Sequence, residues 1–174
     1  VKSRFFYQVY PIQMNIVNLF NLDQEFYNTL ANDPFLRNAY QNHFDLGSGG
    51  TLYYTTNSEP IPKSTYFYSR LQLDIAGNLL SAFKPLMQKD SNGSGMIWNT
   101  PFSQFVRAEL TLGRTWIFGK KDGQSIATRL VAGAGYAYGN SSALPFEKHF
   151  YGGGANSLRG WQARTVGPGL SVLD

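Results

Sequence analysis

The sequence contains no cysteine, few charged residues and no long apolar run. None of its 174 residues is cysteine and only 15% are charged. The lack of cysteine excludes disulfides and cysteine-ligated metal sites. No stretch approaches the roughly 18 to 20 uncharged apolar residues that a transmembrane helix needs. A disulfide-stapled fold and a helical membrane protein are therefore both excluded.

The chain also lacks a clustered basic face and a recognisable catalytic constellation. Its net charge of +4 comes from scattered residues, and Lys120 and Lys121 are its one adjacent basic pair. Nucleic-acid binding prefers a clustered basic surface, so no nucleic acid is expected as a partner. His43 and His149 have no neighbouring ligand at helical or hairpin spacing, which argues against a metal site. We therefore expect no enzymatic activity, no cofactor and no metal.

Aromatic residues and glycine are abundant, and apolar and polar residues alternate over long stretches. In the clearest case, Leu110 and Leu112 fall on one face of a strand while Arg107 and Glu109 fall on the other. Pro11 suggests a bulge in the first strand. The alternation predicts five strands, at Phe5–Val17, Phe44–Thr56, Tyr66–Ala76, Phe102–Trp116 and Ser125–Tyr138.

The length of these strands and the charges on their polar faces favour a membrane barrel over a soluble β-sandwich. Strands of about 11 to 14 residues exceed the mode of about 5–6 in globular proteins. Mixed charges suit a wet lumen, and those assigned to it are Arg70, Asp74, Arg107, Glu109 and Arg129. We predict an all-β fold, a segment of a transmembrane antiparallel β-barrel. Five strands cannot close a barrel, so further strands are expected on both sides of this segment.

Short and long connections alternate between the predicted strands. Residues 57–65 and 118–124 form short joins, whereas residues 18–43, residues 77–101 and everything after Gly139 are long. Outer-membrane barrels have short periplasmic turns and long extracellular loops, so this parity orients each strand. The first long connection is predicted to contain a loop helix at about 23–32, which packs across the barrel mouth.

A motif-rich segment follows the last predicted strand. It runs from Leu144 to Gly169, and we expect Glu147 and Lys148 within it to form a solvated ion pair. Its recognisable pieces are Pro145-Phe146-Glu147-Lys148, Gly152-Gly153, Leu158-Arg159-Gly160-Trp161 and Gly167-Pro168-Gly169. This segment resembles the surface-antigen barrel of the outer-membrane assembly-factor superfamily, the family of BamA and TamA, and is most similar to its TamA-like members.

The resemblance implies a 16-stranded barrel whose sixth extracellular loop folds into the lumen as a latch, here about residues 139–174. Within that loop, Arg159 is implied to pair with an acidic residue on later strands, Gly160 to let the chain turn, and Trp161 to bury area against the wall. Leu158 completes this latch motif, and replacing Arg159 with alanine is expected to impair assembly activity or loop placement. The residues implied to support the loop are Phe146, Gly152, Gly153, Gly167, Pro168 and Gly169.

The resemblance also implies a function. The chain would belong to an assembly factor that inserts or translocates β-barrel or autotransporter-type proteins in the bacterial outer membrane, without enzymatic chemistry. Its implied partners are outer-membrane lipid, unfolded outer-membrane proteins and accessory periplasmic or inner-membrane assembly subunits. A two-partner-type polypeptide secretion pore and a passive porin-like barrel remain the alternatives.

Overall fold

The computed structural model of the chain describes residues 4–19, 40–57, 59–91, 93–118, 123–155, 157–161 and 166. Its main feature is an antiparallel sheet of five long strands in the order β1-β2-β3-β7-β8. These strands are β1 (Arg4–Val17), β2 (His43–Thr55), β3 (Tyr66–Ala76), β7 (Phe105–Phe118) and β8 (Gln124–Ala137). The prediction of an all-β, antiparallel fold is confirmed. In the described residues each of β1 and β8 pairs on one side only, so the sheet is open, in agreement with a segment of a barrel.

The strand boundaries agree with the alternation to within two residues, except at the start of β7. β2 begins at His43, one residue before the predicted start, which places His43 on the same face as Asp45. β7 begins at Phe105 rather than at the predicted Phe102. Phe102 instead forms an isolated bridge with Phe44 and is almost completely buried. Its apolar side chain therefore belongs to a small core beside the sheet.

The register sorts the strands into two chemically different faces. Asp74 lies directly opposite Arg107, and Gln72 directly opposite Glu109, which places these side chains together. We call this side the polar face; it carries Gln8, Asn15, Asp45, Thr51, Arg70, Gln72, Asp74, Arg107, Glu109 and Arg129. We call the other side the apolar face; it carries Phe5, Val9, Ile12, Leu52, Leu73, Ile75, Leu110, Leu130 and Tyr136.

A bulge interrupts the pairing of β1 with β2. The register shifts between Tyr10 and Gln13, on either side of Pro11. Proline cannot donate a hydrogen bond to the ladder, so a bulge is the position at which a strand tolerates it. This confirms the bend predicted from Pro11, and the shift keeps Ile12 on the apolar face.

The long connection between β3 and β7 folds into a small structure of its own. It contains helix α1 (Asn78–Phe83), a 3-10 turn (Lys84–Leu86), and a three-stranded sheet of β4 (Gln88–Lys89), β5 (Gly95–Ile97) and β6 (Thr100–Pro101). Leu80 of α1 packs with Phe44 and Phe102 to form the core of this element. Backbone hydrogen bonds from Gly77 to Leu46 and from Ser103 to Phe44 join it to the free end of β2.

In the part of the chain that the structure describes, no helix is both long and apolar enough to cross a membrane. The loop helix predicted at about 23–32 lies outside the described residues.

Candidate functional site: a loop docked on the polar face

After β8 the chain folds back over the polar face of the sheet. We call residues 139–161 the folded-back loop. Asn140, at its start, is buried and bonded to the preceding long connection. Its amide donates to the carbonyls of Gly95 (3.1 Å) and Phe102 (2.8 Å), and its side-chain oxygen accepts from the Gly95 amide (2.7 Å). These bonds fix the direction in which the loop leaves the strand.

Two glycines on the polar face of β8 provide the surface on which the loop rests. Gly133 and Gly135 are two residues apart, so they share this face. A Cβ atom on Gly133 would overlap the ring of Phe150, and one on Gly135 would overlap the side chain of Leu144. The missing side chains therefore let two apolar loop residues approach the strand backbone closely.

Arg107 of β7 connects the wall of the sheet to the loop. Its Nη2 donates to Glu109 Oε2 at 2.8 Å and its Nη1 to Asp74 Oδ2 at 3.4 Å. Its Nε donates to the backbone carbonyl of Lys148 at 3.1 Å, and its guanidinium carbon lies 4.3 Å from the ring centroid of Phe150. The Arg107 side chain is 14% exposed, so this network is largely shielded from solvent.

A second polar contact joins the loop to β1 and β2. Glu147 Oε1 lies 2.8 Å from His43 Nε2 and accepts a longer bond from the Asn15 amide at 3.4 Å. Burial opposes ionisation of Glu147, but the hydrogen bond from His43 and the nearby positive charges hold its pKa below the usual value. The expected solvated pair of Glu147 and Lys148 is wrong, because Glu147 bonds the wall and the Lys148 ammonium lies 6.0 Å from the Phe105 ring.

Aromatic packing supports the turn that carries Glu147. A 3-10 turn spans Phe146–Lys148, and the Pro145 before it is buried. The ring centroid of Phe146 lies 3.8 Å from that of Tyr40 and 6.2 Å from that of His149. Phe146, predicted as a supporting residue of the loop, is thus in contact with the segment that leads into β2.

The Leu158-Arg159-Gly160-Trp161 motif lies at the exposed end of the loop. Arg159 Nε donates to the carbonyl of Ala155 at 3.4 Å, and in the described residues its guanidinium forms no ion pair with a carboxylate. Gly160 has a φ of 92°, a left-handed value that favours glycine and agrees with the expected turn. Trp161 is 58% exposed in this segment, and the Gly154 amide donates to the Trp161 carbonyl (2.9 Å). The implied packing of Trp161 against the barrel wall stays a prediction.

The other predicted site residues lie in a cleft between the wall and the loop, in the loop itself, or outside the described residues. A cleft of about 590 Å³ is bordered by Arg70, Glu109 and Arg129 from the wall and by Tyr151 and Ser157 from the loop. Gly152 and Gly153 lie in the loop, and Gly153 has a φ of 90°. Gly167, Pro168 and Gly169 lie outside the described residues.

The sequence places Arg107 on the polar face but does not indicate that it binds the loop. It also does not bring His43 and Asp45 together with Glu147. The pair Gly133 and Gly135 is a feature of the sequence that indicates loop docking, because two glycines on one face of a long strand leave its backbone accessible to another segment of the chain.

The comparisons with known proteins agree on one family. A family model described as the Omp85 superfamily domain matches residues 20–172 of the chain. The outer membrane protein assembly factor BamA of Neisseria meningitidis serogroup B is 32% identical over 68 residues, which cover 39% of this chain and 8% of that protein. The match thus spans less than a tenth of the length of that curated relative. No solved structure matches.

Proposed function

This chain belongs to the Omp85 superfamily, and from that premise we propose that it forms part of the wall of a bacterial outer-membrane barrel that assembles other outer-membrane proteins. The substrates would be unfolded β-barrel or autotransporter-type proteins, as in the TamA-like branch. The relative named as an assembly factor supports this proposal, since its name states such a role. Outer-membrane lipid and accessory assembly subunits would be the other partners.

The observation that carries the proposal is the loop that rests on the polar face. A loop inside a barrel restricts the lumen and supports the wall, whereas a wide passive pore needs an open lumen. Arg107, which binds Asp74, Glu109 and the loop together, ties the position of the loop to the shape of the wall. We infer that the docked loop stabilises the barrel form in which substrate strands are accepted.

The proposed mechanism involves no covalent chemistry. An incoming strand would add by main-chain hydrogen bonds to an unpaired strand edge at the barrel seam. In the family the first and last strands form this seam, and this segment would supply the wall and the latch loop instead.

A reconstituted insertion assay tests the proposed function. The full-length protein that contains this chain is placed in liposomes, and a urea-unfolded outer-membrane β-barrel is added. Folding of the substrate is followed by its heat-modifiable mobility in gels. We expect wild-type protein to accelerate folding several-fold over empty liposomes, and Arg159→Ala and Arg107→Ala to lose most of the acceleration. No acceleration by the wild-type protein would overturn the proposal.

The same liposomes distinguish the two alternatives. A two-partner-type secretion pore would carry a polypeptide into the vesicle interior, where external protease cannot reach it. A porin-like barrel would release small solutes at the same rate with or without an unfolded substrate. If either result were obtained without accelerated substrate folding, the corresponding alternative would replace the proposed function.

A further inference from the structure

His43, Asp45 and Glu147 converge where the folded-back loop meets β2. One ligand atom from each side chain lies within 4.8 Å of those from the other two. His43 and Asp45 are two residues apart on β2 and share its polar face, whereas Glu147 comes from the loop. The cluster therefore links the wall to the loop.

The orientation of His43 is the one found in metal-bound histidines. Its Nδ1 lies 2.7 Å from the carbonyl oxygen of Gln41, so Nδ1 donates its proton there. Its Nε2 then faces the two carboxylates, at 2.8 Å from Glu147 Oε1 and 4.0 Å from Asp45 Oδ2. A metal-bound histidine almost always donates its other ring N–H to such an acceptor, which fixes the ring.

Asp45 provides a second and independent observation. Its side chain is 7% exposed, and neither of its carboxylate oxygens has a hydrogen-bond partner among the described residues. The Ser103 side chain and the Lys148 ammonium lie nearby, but among the described residues the Asp45 oxygens accept no well-formed hydrogen bond and form no ion pair with Lys148 within 4.0 Å. A buried carboxylate without a partner is strongly unfavourable, so this position favours either a proton on Asp45 or a cation next to it.

A protonated His43 can donate a hydrogen bond to only one of the two carboxylates of this cluster. An N–H at Nε2 reaches Glu147 at 2.8 Å, but Asp45 at 4.0 Å is beyond hydrogen-bond distance. A zinc ion lies about 2.0–2.2 Å from each nitrogen or oxygen ligand, which separates the ligand atoms in a tetrahedral site by roughly 3.3 Å. That value falls between the separations of His43 from Glu147 and from Asp45, and all three ligand atoms lie within 4.8 Å of one another, so side-chain rotations would bring them onto one ion.

We propose that His43, Asp45 and Glu147 bind one divalent cation of the zinc class, which ties the folded-back loop to β2. A mixed imidazole and carboxylate set suits zinc better than calcium or magnesium, which take oxygen ligands. Two carboxylates and a neutral histidine balance the charge of the ion. A cleft of about 390 Å³ borders Asp45 and another of about 470 Å³ borders His43, and these give the ion a route to the site. The site goes beyond the proposed function, because zinc binding needs no protein substrate.

Zinc titration of the full-length, tag-free protein tests this site. The protein in detergent is treated with EDTA, dialysed, and titrated with zinc chloride against a chromophoric chelator. We expect one zinc ion per chain, and a more than tenfold loss of affinity in each of Asp45→Asn, Glu147→Gln and His43→Gln. His149→Gln is the matched control, because His149 lies in the same loop but outside the cluster, and it should leave the affinity unchanged.

A second measurement uses the wild-type protein alone and does not depend on the folding of any variant. Zinc should slow tryptic cleavage after Lys148 several-fold, and cobalt(II) in place of zinc should give the visible d–d absorption of a nitrogen and oxygen site. Heat-modifiable mobility verifies that each variant is folded. Absence of a bound ion, an unchanged affinity in Asp45→Asn or Glu147→Gln, or no effect of zinc on cleavage would each overturn the proposal.

Discussion

The ring of Phe150 covers Gly133 so closely that a Cβ atom on this glycine would overlap it. The guanidinium carbon of Arg107 lies 4.3 Å from the centroid of the same ring. Phe150 thus contacts both bare strand backbone and a cation that two wall carboxylates fix in place. Docking of the loop therefore depends on the lack of a side chain at Gly133 as well as on the side chains of Phe150 and Arg107.

The first prediction concerns Gly133. Alanine at this position would push the Phe150 ring away from β8, because overpacking of a close contact costs about 1–3 kcal/mol. We expect Gly133→Ala to raise the rate of tryptic cleavage after Lys148 about tenfold in the full-length protein, since that rate follows the undocked fraction of the loop.

Gly152→Ala is the matched control for this change. A Cβ on Gly152 would meet the Val166 side chain at 3.6 Å, which is an ordinary van der Waals distance. Its cleavage rate should stay within about twofold of wild type. Equal rates for Gly133→Ala and wild type would show that Phe150 does not rest on Gly133.

The second prediction concerns Arg107. Its removal takes from Asp74 and Glu109 the cation that they share, and takes a donor from the Lys148 carbonyl. Loss of one partner of such a shielded network costs about 1–3 kcal/mol. Arg107→Ala should therefore accelerate loop cleavage about tenfold or more and lower the temperature at which the barrel loses its heat-modifiable form.

Two variants test the specificity of that effect. Arg107→Lys keeps the charge but cannot form the guanidinium fork, so it should restore only part of the protection. Arg114→Ala removes a cation from the same strand, where Arg114 lies 5.3 Å from the Trp116 ring, and should leave loop cleavage unchanged. If Arg114→Ala accelerated loop cleavage as much as Arg107→Ala does, the cause would be the loss of a positive charge and not the loss of the Arg107 network.

The third prediction is a coupling between Arg107 and Phe150. A guanidinium beside an aromatic ring contributes about 0.5–2 kcal/mol, depending on how far it is desolvated. In a double-mutant cycle with Arg107→Ala and Phe150→Leu, we expect a coupling free energy in this range from loop-cleavage rates. Strict additivity of the two substitutions would mean that the ring and the guanidinium do not interact in solution.

The fourth prediction separates wall packing from loop docking. Tyr68 lies directly opposite Gly113 in the register, and a Cβ on Gly113 would overlap the tyrosine ring. Gly113→Ala should reduce barrel stability by about 1–3 kcal/mol, and Tyr68→Ala should restore most of this loss by making room. The assay is urea unfolding monitored by heat-modifiable mobility. Failure of Tyr68→Ala to rescue Gly113→Ala would contradict the observed packing.

Much of the wall could be predicted from the sequence, because strand alternation is a local property. β3 was predicted at Tyr66–Ala76 and is found there, and the pairing of the last two strands follows from the short polar turn between them. The start of β7 was placed too early because Phe102 continues the apolar pattern. Only the fold of the long connection shows that this residue packs with Phe44 and Leu80.

The contacts of the site were less accessible to sequence reasoning, because they join residues far apart in the chain. Glu147 and His43 are 104 positions apart, and no local spacing indicates their contact. Arg107 was recognised as a polar-face charge, but its bond to the Lys148 carbonyl involves a backbone atom that any residue could supply. For Arg159 the family resemblance implies a partner on later strands, and that pairing stays a prediction.

A disulfide between the loop and β8 tests most directly that the loop lies on the polar face. In the full-length protein, Gly135→Cys is combined with Leu144→Cys, because the Leu144 side chain covers Gly135. We expect this pair to oxidise nearly completely, and the pair Ala134→Cys with Leu144→Cys, whose position 134 faces the apolar side, to remain reduced. Absence of the first disulfide, or equal formation of both, would contradict the docked loop.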